Sequence, residues 1–250
     1  MRLQDKVAII TGAGAGIGAA TAKLFAAEGA RVAVADWNAE AARAVAADIG
    51  KAAIAVAADV RREADVQAMV ARTQDAFGGL DILVNNAGKG LLGDVVSTDL
   101  KDWEDIVSIN LTSVFLCSKH AIPALRARGG GTIVHVASNV AQVGIKARAA
   151  YVASKGAVAA LTRAMALDHA ADQIRVNAVA PGVVWSKYYE AMLASVPDPE
   201  AFVAGLKARS PMGRYAAPEE IAPMILWLAS AESSFATGGI FTVDGGMTAW

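Results

Sequence analysis

Tyr151 and Lys155 are the two side chains whose types and spacing best suit acid–base chemistry in this sequence. They lie four residues apart and open an apolar run, Gly156 to Leu167, whose composition predicts a packed helix. Side chains four apart share one helical face, so the phenol and the ammonium project together. A phenol has a reference pKa of about 10, and a nearby ammonium lowers the pKa of an acid by about 1–3 units. We therefore expect Lys155 to move the pKa of Tyr151 toward 7, a shift of about 3 units that the lysine alone does not complete.

Ser138 is a third candidate for the same chemistry. It follows the apolar stretch from Thr132 to Val136, which predicts a buried parallel strand. A hydroxyl at the carboxyl end of such a strand faces the crevice where open α/β sheets bind ligands. Ser138, Tyr151 and Lys155 thus suggest a carbonyl or alcohol oxygen held by serine and tyrosine, with its proton passing through Tyr151. A tyrosine and lysine at this spacing also occur by chance, so the rest of the chain must decide.

A glycine-rich turn follows the first predicted strand, Lys6 to Ile10, and precedes a helical pattern. Gly12, Gly16 and Gly18 have the spacing Gly-x3-Gly-x-Gly, and the commoner Gly-x-Gly-x-x-Gly does not fit because Ile17 would replace its last glycine. Between a strand and a helix, these glycines allow a tight turn, close approach of a diphosphate and close helix packing, respectively. Because the positive helix end would face phosphates, nucleotide binding is favoured over a purely structural turn.

The second predicted strand, Arg31 to Ala35, ends at Asp36, about twenty residues past the glycine turn. A carboxylate there can accept hydrogen bonds from the adenosine ribose and would repel a 2′-phosphate. Neither Ala15 nor Trp37, the neighbours where a cation could neutralise that phosphate, is charged. The sequence therefore predicts NAD rather than NADP. Asp36 or Asn38 could also cap the next helix, and both roles can hold together.

Two more predicted strands end in residues suited to contact a nucleotide. Ala52 to Ala58 predicts the third strand and leads to Asp59 and Val60, where the carboxylate could meet the adenine amino group. Asp81 to Val84 predicts the fourth strand and leads to a loop, Asn85 to Gly88. Small residues in that loop allow cofactor contact, and asparagine amides can fix neighbouring backbone, although such a loop alone is more often a turn.

A long helical pattern runs from Asp99 to about Ala127 and contains Pro123, which predicts a kink near its end. Asn110 lies in the middle of this pattern, where asparagine has poor helix propensity. If its side chain is buried it needs a partner, such as a water chain to Lys155; surface exposure is the alternative.

The rest of the chain continues the alternation of strands and helices. Strands are predicted at Ile174 to Val179 and Gly239 to Asp244, and a helix at Glu219 to about Ala229. No linker, low-complexity segment or short repeat interrupts them. The pattern predicts a single α/β domain over residues 1–250, with one doubly wound sheet covered by helices on both faces.

Composition limits the partners and the location of the protein. Hydrophobic residues make up 55% and charged residues 19%, which favours a homo-oligomer. A net charge of −1, with both signs interspersed, gives no electrostatic footprint for nucleic acid or an anionic membrane. Cys117 is the one cysteine, and His120, His135 and His169 lack ligand spacing, so neither a disulfide nor a metal is expected. No apolar run approaches 18 residues, which predicts a soluble cytoplasmic protein.

In their order and intervals, these motifs resemble the short-chain dehydrogenase/reductase family over essentially the whole chain. The resemblance is carried by Thr11-Gly12-x-x-x-Gly16-Ile17-Gly18, Asn85-Asn86-Ala87-Gly88, Asn110, Ser138, Tyr151-x-x-x-Lys155 and Pro181-Gly182. It implies a Rossmann-type parallel sheet of about seven strands, a nicotinamide cofactor and, frequently, a homotetramer.

The resemblance also implies roles for individual residues. In oxidation, Tyr151 would take the alcohol proton, Ser138 would hold the oxygen, and Lys155 would bind the cofactor ribose. The charge of oxidised nicotinamide would further favour the phenolate, and Asn110 would order a water relay to the lysine. The catalytic residues expected are Asn110, Ser138, Tyr151 and Lys155. The cofactor contacts expected are Gly12, Gly16, Ile17, Gly18, Asp36, Trp37, Asp59, Val60, Asn86, Ala87, Gly88, Tyr151, Lys155, Pro181, Gly182, Val184 and Ser186. Ser186 stands where the family often has threonine, so a hydroxyl is kept.

The substrate lobe of the family corresponds to residues 185–210 of this chain. Side chains that could wall a pocket, or simply pack helices, are Trp185, Tyr188, Tyr189 and Met192. Loop side chains that could bond a substrate, or be solvated, are Gln142, Lys146 and Arg148. A loose similarity to relatives that oxidise sugars or sugar-derived acids favours a secondary alcohol or hemiacetal substrate of the sugar, polyol or keto-acid type. A 3-oxoacyl reductase and a non-catalytic nucleotide-binding regulator are the alternatives.

Overall fold

A seven-stranded parallel sheet forms the centre of the molecule, in the order β3-β2-β1-β4-β5-β6-β7. The structure is a computed structural model and describes residues 1–249. Its strands are β1 Val7–Thr11, β2 Arg31–Asp36, β3 Ala53–Ala57, β4 Ile82–Asn85, β5 Gly131–Val136, β6 Ile174–Pro181 and β7 Ile240–Val243. The strand order reverses between β1 and β4, so the loops that follow these two strands flank a crevice. This architecture confirms the predicted doubly wound, Rossmann-type single domain.

Helices cover both faces of the sheet. They are α1 Gly16–Ala27, α2 Ala39–Ile49, α3 Glu63–Phe77, α4 Leu100–Val107, α5 Ser113–Ala127, α6 Ala149–Asp168, α7 Lys187–Leu193, α8 Pro199–Lys207 and α9 Pro218–Ala229. One face packs against α1, α2 and α9, and the other packs against α3, α5 and α6. No helix among these described residues has both the length and the hydropathy to cross a bilayer.

Burial on both faces explains why the central strands are continuously apolar. In β1, Ala8 and Ile10 pack on the side of α1, where they join Phe25 in one cluster. Ile9 points the other way and joins Met69 of α3. Each fully buried isoleucine stabilises the fold by about 1.5–3 kcal/mol. The two clusters fix the strand in register, because a shift by one residue would exchange the two faces.

The sixth strand is longer than predicted. The sequence predicts that it ends at Val179 and leads to Pro181 and Gly182. In the structure Pro181 pairs with Val243 of β7, and the Gly182 amide donates to the Val243 carbonyl at 3.0 Å. A proline is tolerated at this strand end because its missing N–H interrupts no other bond of the ladder.

A π-helical turn that the sequence did not predict interrupts the long helical segment. This turn, Ser108–Thr112, joins α4 to α5, and α5 continues through Pro123 to Ala127; the kink expected at Pro123 stays a prediction. Asn110 lies in this π turn, and π turns inside α-helices are frequent at functional sites.

Cys117 lies on α5 and provides a test of core packing. Its side chain is 1% exposed, and burial raises the pKa of the thiol to about 12. Because the thiolate is the reactive form, we expect an aromatic disulfide reagent to modify no thiol in the native protein and one thiol per chain in guanidinium. Absorbance of the released thiolate measures both values; rapid modification of the native protein would contradict this packing.

Candidate active site

A cavity of about 710 Å³ opens at the carboxyl ends of the strands. Its size lies in the usual range for small-molecule sites, about 300–1,000 Å³. The predicted site residues on its wall are Gly12, Gly16, Ile17, Asp36, Trp37, Asp59, Val60, Asn86, Ala87, Gly88, Ser138, Tyr151, Lys155, Pro181, Gly182, Val184 and Ser186. Two further predicted residues, Gly18 and Asn110, do not line it. The structure thus brings residues from widely separated parts of the chain to one place.

The glycine turn presents open backbone to this cavity. Gly12 and Gly16 have φ values of 61° and 55°, in the left-handed region that favours glycine. No atom lies within 4 Å of the position that a Cβ on Gly16 would take, so that side of the turn is open. A Cβ on Gly18 would instead overlap the Gly12 carbonyl and the Asn86 amide, so Gly18 serves close packing of α1. Helix α1 begins here without a side-chain cap on its first amides.

The loop after β4 is bonded directly to the glycine turn. The Asn86 side-chain amide donates to the carbonyls of Thr11 and Gly12, at 2.8 and 3.1 Å. The Thr11 hydroxyl accepts from the backbone amides of Asn86 and Ala87, both at 3.0 Å. These bonds hold the two loops on either side of the crevice in one rigid unit. The asparagine amide therefore fixes neighbouring backbone, as the sequence predicted.

Asp36 and Asn38 are the two candidates for the cap of helix α2. Asn38 is the helix cap, since its side-chain oxygen accepts from the amides of Glu40 and Ala41, both at 3.1 Å. Asp36 accepts from the amides of Gly14 and Asn38, both at 2.9 Å. The Asp36 carboxylate is thus held beside the glycine turn on the cavity wall.

Arg61 is a cation on the cavity wall that sequence reasoning missed. We had considered only Ala15 and Trp37 as places for a positive charge. The Arg61 guanidinium bonds the Asp59 carboxylate through two nitrogens, at 2.9 and 2.7 Å, and also reaches Asp105 at 3.2 Å. This contact lowers the pKa of Asp59. The sequence did contain a signal for this residue. Arg61 lies just past the carboxyl end of β3, and residues at that edge of an open α/β sheet line the ligand crevice.

Asn110 is fully buried, which excludes the predicted alternative of surface exposure. Its side-chain oxygen accepts from the Lys89 amide at 2.9 Å, and its nitrogen donates to the Lys89 carbonyl at 3.0 Å and to the Ser154 hydroxyl at 3.1 Å. The Asn110 oxygen and the Lys155 Nζ lie 2.9 and 3.5 Å from the position that a Cβ on Gly88 would take. Asn110 is therefore near Lys155, but its direct partners are the Lys89 backbone and Ser154.

Lys155 is a buried cation on the wall of the cavity. Its side chain projects from α6, and Nζ donates to the Val136 carbonyl at the end of β5, at 2.9 Å. The residue is 5% exposed, and burial lowers the pKa of the ammonium to about 8. At neutral pH Lys155 remains mostly protonated, held by a single protein acceptor.

The pKa of Tyr151 differs from our expectation. Burial raises the pKa of this phenol, and interaction with the Ser138 side chain and the charge of Arg148 only partly oppose that rise. The prediction that Lys155 moves it toward 7 is wrong for the chain alone. The reason is that burial of the phenol disfavours the charged phenolate, while Lys155 is not among the groups that lower this pKa. Tyr151 is therefore a neutral phenol at pH 7 in this structure.

Only some of the predicted substrate-lobe side chains reach the cavity. Those on its wall are Trp185, Tyr188, Tyr189 and Arg148. Those away from it are Met192, Gln142 and Lys146. The aromatic residues line the cavity and also pack against other side chains. Trp185, for example, stacks on Tyr215 with ring centroids 4.8 Å apart. Arg148 is 8% exposed, so the idea that it is a solvated loop charge is wrong.

The three histidines lie away from this chemistry. His135 is fully buried on β5, where it bonds the Thr162 hydroxyl at 3.0 Å, and burial lowers its pKa to about 3. His120 and His169 each bond one carboxylate. Within residues 1–249, no three His, Cys, Asp or Glu side chains gather closely enough to hold a metal ion.

Comparison with known proteins decides the family. A family model described as enoyl-(acyl carrier protein) reductase, of the short-chain dehydrogenase/reductase type, matches residues 12–248. The chain belongs to the short-chain dehydrogenase/reductase family. Short-chain dehydrogenase/reductases are oxidoreductases that use NAD(P), and the resemblance of the motifs is thereby confirmed at the level of the family.

Relatives of this short-chain dehydrogenase/reductase align over nearly its full length. A meso-2,3-butanediol dehydrogenase from Serratia marcescens is 42% identical over 250 residues, which cover 100% of this chain and 97% of the relative. A cis-4-hydroxycyclohexanecarboxylate dehydrogenase from Sinomonas cyclohexanicum is 44% identical over 252 residues, which cover 98% and 97%. A crystal structure from Burkholderia xenovorans, described as a proposed short-chain dehydrogenase/reductase, superposes with a TM-score of 0.95 at 35% identity and covers 100% and 98%.

Some wall residues of this short-chain dehydrogenase/reductase gave no signal in the sequence. Arg209 follows α8, and Met247 follows β7, yet both line the cavity. The Asn139 side-chain amide reaches the Met247 sulfur at 2.9 Å, which ties the carboxyl-terminal segment to the loop after β5. These contacts join segments about a hundred residues apart, so no local pattern could identify them.

Proposed function

We propose that this protein transfers a hydride between NAD(H) and a secondary alcohol or ketone, with Tyr151 as the general acid and base. The observation that carries the proposal is the meeting of Ser138, Tyr151 and Lys155 on the wall of the same cavity as the glycine turn. The names of the relatives include a diol and a hydroxy acid, which favours substrates of these classes and of cyclic alcohols over sugars.

The residues present fit a nicotinamide dinucleotide. The glycine turn, which is open at Gly16, together with the uncapped start of α1, suits a diphosphate. Asp36 suits the adenosine ribose, and Lys155 together with residues 181–186 suits the nicotinamide end. When bound, the cofactor supplies the acceptor of the hydride and, in its oxidised form, a positive charge.

The side chains of this protein would manage the substrate proton. In oxidation, the Tyr151 phenolate accepts the hydroxyl proton while Ser138 bonds the same oxygen. Lys155 places a buried positive charge on the same cavity wall as this pair, and its bond to the Val136 carbonyl fixes its position. Asn110 holds the backbone of Lys89 and so keeps the loop after β4 in place. In ketone reduction the same groups act in reverse, and the neutral phenol donates the proton.

The test of this function is a screen of diols, hydroxy acids and cyclic alcohols with NAD⁺, read as NADH absorbance. We expect turnover with at least one class and its loss in Tyr151→Phe. Reduction of 3-oxoacyl thioesters with no alcohol oxidation would favour the 3-oxoacyl reductase. Tight NADH binding without turnover of any substrate would favour the non-catalytic regulator.

The cofactor preference is tested at Asp36. Its carboxylate is fixed by two amides beside the turn, so a 2′-phosphate brought there would meet an oriented negative charge. We expect kcat/KM to be higher with NAD⁺ than with NADP⁺, and Asp36→Asn to reduce that ratio by about tenfold or more, as for loss of one charge-assisted hydrogen bond. Arg43→Gln, a change of one charge on the neighbouring helix α2, is the control and should leave the ratio intact. A wild-type preference for NADP⁺ would refute the assignment.

Two expectations from the sequence stay predictions, namely the homotetramer and the cytoplasmic location. Apolar side chains on α4 and α5 support an oligomer, since Leu100, Trp103 and Phe115 are 71%, 40% and 50% exposed in the isolated chain. Exposed apolar area of this kind often marks a protein–protein contact.

A further inference from the structure

Arg148 is a buried cation on the cavity wall with no acid beside it. The residue is 8% exposed, and among residues 1–249 no carboxylate oxygen lies within 4.0 Å of its guanidinium. Its Nη1 donates to the Tyr188 hydroxyl at 3.1 Å, and its central carbon lies 5.7 Å from the centre of the Tyr188 ring. A guanidinium has five N–H donors, so most of its donors have no acceptor in the described protein.

Arg175 is a partly buried guanidinium that serves as a comparison, because its terminal nitrogens are bonded to acceptors of the protein. Its two terminal nitrogens donate to the Ser233 hydroxyl and to three carbonyls, those of Leu228, Ser230 and Ala236, at 2.9 to 3.2 Å. Burying a charge is costly unless hydrogen bonds compensate it, and Arg175 is compensated by the fold. Arg148 is more deeply buried as a residue but lacks such partners among the described residues, and none of its unpaired nitrogens is sealed from solvent, so its free donors are accessible from the cavity that it lines.

The carboxylates on the wall lie at one end of the cavity. They are Asp36, which ends β2, and Asp59, which follows β3 and is already paired with Arg61. The catalytic side carries Arg148 and Arg209. Both guanidiniums act on the same wall residue, since each opposes the rise in the pKa of Tyr189 that burial causes. The substrate end of the cavity is therefore cationic and holds no wall carboxylate from residues 1–249.

We propose that Arg148 binds an anionic group of the substrate, so that the enzyme selects secondary alcohols that carry a carboxylate over neutral ones. The inference rests on the proposed function and narrows its substrate class. Arg148 lies three residues before Tyr151, and its charge acts on that phenol, so an anion bound to it would lie on the same side of the cavity as the reacting oxygen. A planar carboxylate matches the fork of donors on a guanidinium, and a sulfonate offers the same acceptor oxygens.

The test compares matched acids and esters with the enzyme saturated in NAD⁺. The pairs are 3-hydroxybutyrate and its methyl ester, and cis-4-hydroxycyclohexanecarboxylate and its methyl ester. We expect kcat/KM to favour the acid in at least one pair, and Arg148→Met to reduce that preference by about tenfold to a hundredfold, the range of a hydrogen bond to a charged group. Arg148→Lys keeps the charge and should recover part of the preference. Lys146→Met removes a positive charge two residues away on the exposed part of the loop and should leave the preference unchanged.

Three outcomes would overturn the proposal: preference for the ester in both pairs, an acid preference that Arg148→Met does not alter, or equal loss in Lys146→Met. Calorimetric titration with cyclohexanecarboxylate, cyclohexanesulfonate and cyclohexanecarboxamide decides the matter without turnover. We expect both anions to bind the wild-type protein at least about tenfold more tightly than the amide, with this selectivity lost in Arg148→Met. If no alcohol is oxidised, the proposed function fails, whereas anion selectivity in the titration would still support Arg148. Turnover of neutral alcohols without selectivity for anions would refute the role of Arg148 and leave the proposed function intact.

Discussion

Replacement of Tyr151 by phenylalanine is expected to lower kcat for alcohol oxidation at least about a hundredfold, the usual loss for a general acid or base. The variant removes one oxygen atom from the cavity wall and leaves the ring in place. Burial raises the pKa of this phenol in the chain alone, so the wild-type enzyme gains its basic form as the pH rises. We therefore expect kcat/KM for oxidation to increase with pH below that pKa and kcat/KM for ketone reduction to decrease only as the pH rises through it. The residual activity of the variant should lose both dependences.

Three measurements separate a chemical role of Tyr151 from a structural one. Fluorescence titration with NADH should give dissociation constants within a few-fold of each other for the two proteins, because the diphosphate end of the site is unchanged. Tyr215→Phe removes a hydroxyl from an aromatic ring that stacks on Trp185 but does not line the cavity, and it should keep wild-type turnover. Near-normal turnover in Tyr151→Phe would exclude Tyr151 as the proton carrier.

Local sequence signals located the scaffold of this site because they reflect local geometry. A left-handed φ at Gly12 and Gly16 requires glycine, and close packing behind Gly18 requires the absence of a Cβ. The strand ends at Asp36 and Ser138 follow from apolar runs of strand length, and the parallel order brings those ends to one edge. Spacing along the chain was therefore sufficient to predict the doubly wound fold and the positions of the loops that form the cavity.

The burial of individual side chains and the contacts between distant segments could not be predicted from the sequence. Nothing local distinguishes Arg148, which is buried, from Lys146, which is exposed two residues earlier on the same loop. The direction of the pKa shift of Tyr151 depends on how far desolvation exceeds the influence of nearby charges, and that balance is set by packing from several elements. The partners of Asn110 come from the loop after β4 and from α6, so its π turn could not be predicted from helix propensity.

Replacement of Lys155 by methionine is expected to abolish most turnover while it leaves stability near pH 7 almost unchanged. Burial lowers the pKa of Lys155 from about 10.5 to about 8, so protonation below pH 8 opposes folding by about 3 kcal/mol. Methionine fills a similar volume without a charge and relieves this cost. It also leaves the Val136 carbonyl without its donor, which costs about 1–3 kcal/mol. The two changes largely offset each other, whereas the catalytic charge is lost; we expect kcat to fall at least about a hundredfold.

The pH dependence of stability distinguishes this account from a simple packing role for Lys155. The unfolded chain binds the lysine proton more tightly than the folded chain, so the free energy of unfolding of the wild type must rise with pH through this interval relative to the variant. With pKa values of about 8 and 10.5, the wild type should gain about 2 kcal/mol on the variant between pH 7 and pH 9.5. Guanidinium unfolding of both proteins at the two pH values measures this difference, and other titrating groups cancel because the proteins share them. A difference that stays constant with pH would show that the buried Lys155 keeps an ordinary pKa, and the proposed charge beside Tyr151 would then impose no cost on the fold.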